Sequence, residues 1–288
     1  FPSHTNSIDS SLLLQSGTTR DLSDYQVEYV GEESGVSILN FTGNYDRNIN
    51  DVLNAEARQA VAQELYNYIA PNHDFLVVFT TFPVDSGEAS AFAINYQNDV
   101  TGIGLPLFDN SHLMSSERLQ TSIDMTEISD WELNPTQRNF DSTLDTLMHE
   151  MMHRWGIYVS FEDENNQISD ALLGRDGVHW NYFMDSNASV MYGSLWVDVG
   201  GGLFETRATR KSLSPLDLYL MGFREAQSLP DFFYIDSGSP GVVTDLPPLV
   251  GTQANGIRKD FSVDDIIAVE GVRVPDVINS QHKFSFKF

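Results

Sequence analysis

His149-Glu150-Met151-Met152-His153 constrains this chain more than any other stretch of it. Residues four apart on an α-helix lie one above the other on one face, so a helix here aims two imidazoles at a single point with a carboxylate beside them. Leu144, Leu147, Met148, Met151 and Trp155 recur at helical spacing. Ser142 with Asp145 three residues on reads as a capping-box start, and Gly156 reads as the stop. The expectation is a buried amphipathic helix of about four turns that carries the motif. With seven histidines in 288 residues, chance is a poor explanation of the spacing. The chemistry it suits is zinc, held by His149 and His153, with Glu150 placed to act as a general base.

Composition narrows the partners. An apolar content of 41%, with 18 Phe, 11 Tyr and 4 Trp, is ample for a packed core in one large domain or two. The formal charge of −25 repels phosphate backbones and anionic lipid surfaces, which argues against nucleic acid. It also supplies carboxylates for calcium, although no EF-hand spacing is present. No run approaches the roughly 18 apolar residues of a membrane helix, so no membrane insertion is expected. The absence of cysteine excludes disulfides and thiolate ligands, so any zinc falls to His, Asp or Glu. The chain opens on Phe1 without a charged-then-apolar leader, and the expectation is a mature or trimmed form of a secreted, extracellular bacterial protein.

Residues 1–35 are polar and read as an N-terminal arm or pro-segment remnant, with a possible strand at 26–30. A strand at 35–41, a helix over 50–69 closed by Pro71, and a continuous apolar strand over 75–82 make a β-α-β unit. Strands follow at 89–96 and 122–128, with 101–108 as a Gly- and Pro-containing candidate for a sheet edge. Beyond Gly156 the pattern loosens. Residues 213–222 read as a capped helix, with Ser214 before Pro215 and Gly222 at its end. From about Arg224 short apolar runs among Pro, Gly and Asp suggest a β-rich extension, 226–288, behind a main domain spanning 36–225.

A catalytic zinc takes three protein ligands and leaves one position open, so the motif lacks a member. Of the remaining histidines only His179 lies shortly downstream, in a turn flanked by Gly and Asp. Asp176 is the alternative third ligand, with Asp170 at a comparable distance and Glu162, Asp163 and Glu164 nearer the helix. Tyr192 is the first candidate to donate to a developing oxyanion and Tyr219 the second. Asp145, Asp185 and Asp217 are candidates to accept from the second ring nitrogen of a ligand histidine.

The order of strand, helix, several strands, then the motif helix resembles the upper half of the zincin metallopeptidases, in which an edge strand binds extended polypeptide. Gly156 fits the longer His-Glu-x-x-His-x-x-Gly-x-x-His pattern of the metzincin branch, and Val159 breaks it where the third histidine belongs. Ser189-Val190-Met191-Tyr192-Gly193 resembles that branch's Met-turn. Together with His-Arg-Trp-Gly, His-Trp and Ser-Pro-Leu-Asp-Leu-Tyr-Leu-Met-Gly, the chain also resembles a group of little-characterised bacterial secreted metallopeptidases over roughly 75–270. The resemblance implies an α+β zincin-like fold: a twisted mixed sheet over two long helices, the motif helix at the cleft, then a loop-rich lower part and the β-rich extension. It implies a zinc-dependent endopeptidase. The rivals are a non-catalytic binding or adhesion module with a structural zinc, and a zinc hydrolase of a non-peptide amide or ester.

Overall fold

The computed structural model describes residues 21–174, 176–208, 212–236 and 248–288, and in them the chain is a mixture of α and β. Most of the expected N-terminal arm, 1–20, lies outside the described residues. Gln26–Glu33 and Val36–Thr42 form an antiparallel hairpin whose alternating faces put Tyr29 and Leu39 against the core. The contacts divide the chain into two units.

One unit holds residues 21–99, 107–154 and 283–288. Helix α1, Ala55–Tyr66, is shorter than the expected 50–69. Residues 48–49 and 52–53 pair with each other, and the Asn54 side chain then caps the helix by accepting from Ala57 N. Four strands form the sheet in the order Phe286–Lys287, Phe75–Thr80, Thr121–Glu127, Phe92–Asn95. The first three run parallel and the last is antiparallel. Leu65, Leu76, Phe92, Ile94, Met114 and Leu119 fill the core between sheet and α1. The expected strands at 75–82, 89–96 and 122–128 are all present, the first two trimmed and the third shifted by one residue.

The motif helix, α2, is Phe140–Met152. It begins after Asn139, two residues before the expected cap at Ser142, whose carbonyl instead accepts the Thr146 hydroxyl at 3.1 Å inside the first turn. It ends at Met152 with His153 as the C-cap, ahead of Gly156. The buried residues are Thr143, His149, Glu150 and Met152, whereas Leu144 on the expected apolar face is 43% exposed. The face this helix buries is therefore the one carrying the motif.

The other unit holds 100–106 and 155–282. Leu195–Gly200, Leu203–Ala208 and Gln253–Asn255 form an antiparallel sheet, and Phe232–Asp236 pairs with Ile257–Phe261. Trp196, Phe204, Phe233, Ile235 and Ala254 make its core. Helix α3, Pro215–Met221, has the expected form: a Ser214–Asp217 capping box, Pro at the first turn, and Gly222 in the left-handed conformation at its end. Helix α4, Val263–Glu270, occupies part of the stretch expected to be β-rich, and the Ser262–Asp265 capping box starts it. Residues 283–288 group with the first unit. The expected edge strand at 101–108 does not form. Gly102 and Gly104 take φ of +75° and +77°, outside the extended region, and the pairing is confined to the two ends, where Thr101 bridges to Val274 and Phe108 pairs with Asn98. The antiparallel edge of the four-stranded sheet is Phe92–Asn95, with all four residues buried. Among the described residues no helix is long and apolar enough to cross a membrane.

Candidate metal centre

Near its C-terminal end α2 brings the His149 and His153 rings edge to face, with centroids 4.9 Å apart. The end of a helix leaves backbone carbonyls without partners. Here Asn95 Nδ2 donates to the His153 carbonyl at 2.7 Å, and the Thr121 hydroxyl donates to Asn95 Oδ1 at 2.7 Å. Arg154 follows, fully buried, donating to Gln120 Oε1, Asn98 Oδ1 and Asp99 Oδ1 at 2.8–2.9 Å. A guanidinium so held also suits the negative end of the helix dipole. The strands at 92–95 and 121–127 thus hold the turn on which His153 stands.

His149, His153 and His179 come together, their ligand atoms within 4.8 Å of one another, and this cluster could hold a metal ion. Among the described residues it is the one such group of three or more His, Asp or Glu, so the carboxylates available for calcium gather nowhere there. His149 and His153 are 5% and 3% exposed, and the His179 side chain 12%. The donor set fits zinc: three imidazoles, neutral when ligating, with no thiolate required.

His179 Nδ1 lies 2.6 Å from Asp176 Oδ2, which leaves Nε2 for a metal. Asp176, the alternative ligand in the sequence reading, is therefore placed as the partner of the third histidine. Burial raises its carboxyl, but the hydrogen bond and charge of His179 and the Val178 N–H outweigh that and hold it below the usual carboxylate range. Glu150 is 5% exposed. Burial pushes its carboxyl up to about 8, the Arg47 charge opposing and the Asp124 charge adding. A cation held by its neighbours would drive it back down.

The Tyr192 ring stacks on His179 with centroids 4.3 Å apart. Its backbone takes φ of +70°, a strained choice for a side-chain-bearing residue that is common at functional sites. Tyr219 is 4% exposed within α3, and burial raises its hydroxyl pKa against the Arg273 contacts. Met191 is fully buried.

Several of the other carboxylates are engaged elsewhere. Asp185 Oδ1 accepts from Trp196 N at 3.1 Å, and Asp217 accepts from Trp180 Nε1, the Ser189 hydroxyl and Ser214 N at 2.6–2.8 Å. Asp145 lies half-buried on α2. Asp163 Oδ1 accepts from Asn165 N and Gln167 N, Glu164 pairs with Lys259, Glu162 is half-buried in a two-residue strand, and Asp170 is exposed. The sequence reading missed Asn95 and Arg154, for which a single chain carries no signal. The Asp176–His179 pairing could have been read from its three-residue spacing in a Gly-containing turn.

No family model, curated protein or solved structure matches this chain.

Proposed function

We propose that the protein is a zinc-dependent endopeptidase of zincin type, with His149, His153 and His179 holding the metal. The observation that carries this is the meeting of the two motif histidines with a third whose other ring nitrogen already faces a carboxylate. Bound there, zinc would supply a Lewis acid and bring the pKa of a coordinated water to about 7. Glu150 is the proton carrier of this reading: it takes the proton from the attacking water and returns it to the leaving amine. Its burial suits that role, because a carboxyl shielded from solvent keeps the proton in the site. The Tyr192 hydroxyl is the donor proposed for the developing oxyanion, on the strength of its stack against His179.

The test uses the purified chain and an unstructured protein such as casein. The wild type should carry close to one zinc and cleave it. Glu150→Gln, which keeps the volume and removes the base, should retain the zinc and lose cleavage by about a hundredfold or more. Unchanged turnover by that variant would refute the role of Glu150. A metal-loaded wild type inert toward peptides, esters and amides alike would instead favour a binding module.

A further inference from the structure

The two segments meeting at His179 and Tyr192 share an anchor that belongs to neither. Asp217 is fully buried at the third position of α3, where the capping box accounts for one of its duties. It does more than cap. Oδ1 accepts from Trp180 Nε1 at 2.8 Å, and Oδ2 accepts from the Ser189 hydroxyl at 2.6 Å and from Ser214 N at 2.6 Å. In the matching box on α4, Asp265 accepts from Ser262 N and Ser262 Oγ, both inside the box. The bonds to Trp180 and Ser189 exceed what starting a helix requires.

Each of those bonds leads to one face of the candidate centre. Trp180 is the residue after His179 and is itself fully buried. Ser189 Oγ, while donating to Asp217, accepts from Met191 N at 2.9 Å, and Met191 O accepts from Trp180 N at 3.1 Å. The turn so held places Asn187, Ala188 and Tyr192 at φ of +56°, +60° and +70°. Three residues in left-handed conformations within six are unfavourable without outside ties. Gly193 completes the turn because a Cβ there would overlap Ser186 Oγ at 1.4 Å.

We infer that Asp217 is a positioning residue: through Trp180 and Ser189 it sets the His179 ring and the Tyr192 ring stacked on it. This deepens the metal-centre reading and rests on it for its functional consequence. An amide cannot substitute, because three donors converge on the carboxylate and an NH2 in place of either oxygen would face one of them.

The test compares the full-length wild type with Asp217→Asn, using Asp265→Asn as a control that disturbs a helix cap alone. In the metal-free proteins, His179 ring resonances, identified by their loss in His179→Gln, report the ring current of Tyr192. Cobalt(II) then serves as the metal probe, read by its visible absorption and its affinity. Asp217→Asn should move the His179 resonances, change the cobalt spectrum and weaken cobalt binding at least about tenfold, while Asp265→Asn does none of these. Resonances that stay in place in a folded Asp217→Asn, with cobalt affinity within about twofold of wild type, would overturn the inference. If Asp217→Asn does not fold, Trp180→Phe and Ser189→Ala break the two arms singly. Each must then move the His179 resonances, and either one leaving them unmoved overturns it. A wild type that binds no cobalt removes the metal-centre reading, while the metal-free resonances still decide the role of Asp217.

Discussion

A histidine that is to hold a metal works best when its second ring nitrogen is occupied, because that partner fixes both tautomer and direction. For His179 the partner is Asp176, 2.6 Å away and 40% exposed at its side chain. The two residues are therefore expected to differ in kind when changed. His179→Ala should bring the zinc content of the purified protein well below one equivalent, whereas Asp176→Asn should keep a site weakened about 10- to 100-fold. Titration against a competing chelator separates them, and a full equivalent of zinc in His179→Ala would remove His179 from the centre. At this scale His149, Glu150 and His153 were legible because a helical repeat alone puts them together. Asn95, which holds the carbonyl of His153, was not, since it stands 58 positions away in the chain.

At the scale of elements, α3 is the piece whose sequence and structure agree most closely. Its stop is Gly222, at φ of +82° and packed so closely that a Cβ would come within 2.3 Å of Ser280 Oγ and 2.6 Å of Arg273 Nη2. Arg273 Nε in turn donates to the Leu220 carbonyl at 2.8 Å, answering one of the carbonyls the helix leaves open. Gly251 has the same handedness, φ of +87°, with nothing near. Gly251→Ala should cost about 1 kcal/mol for the left-handed backbone alone, and Gly222→Ala about 2–3 kcal/mol once crowding adds to it. Urea unfolding midpoints measure both. Equal losses would show that Arg273 and Ser280 move aside freely. Helix α2 shows the opposite case, for its apolar spacing predicted a buried face through Leu144 and the structure buries the face of Thr143, His149 and Glu150. Periodicity finds a helix readily, but which side is covered depends on what packs against it.

Across the whole molecule, 41 acidic against 16 basic side chains make the folded state repel itself near neutral pH. Buried carboxyls push in the same direction. Desolvation raises Asp185, Asp217 and Glu270, against hydrogen bonds that lower each of them. An acid raised on folding binds more protons folded than unfolded, so its contribution to stability is whole below the unfolded carboxylate value and is lost as pH climbs through the folded one. The carboxyls held low, Asp109 and Asp176 among them, act oppositely only below the ordinary carboxylate range. The metal-free protein should therefore unfold at lower urea as pH is raised from about 5 to about 7, and added salt should restore part of the loss. A midpoint that climbs over that interval, or is indifferent to salt, would show that repulsion and burial do not govern its stability.

The sequence by itself determined what depends on neighbours along the chain: the motif helix, the capped α3, the apolar strand at 75–80, the candidate ligands His149 and His153 and the candidate base Glu150. It also singled out His179, by elimination among seven histidines, without any means of showing that the ring meets the other two. Only the tertiary structure decided that meeting. It decided as well that Asp217 reaches Trp180 and Ser189, that 101–108 forms no continuous strand, and that the last residues pair with Phe75–Thr80. The physical reason is common to all of these. Periodicity and caps are set within a few residues, whereas a ring's orientation, a shared carboxylate and a parallel pairing depend on groups tens to hundreds of positions apart, to which local pattern is blind.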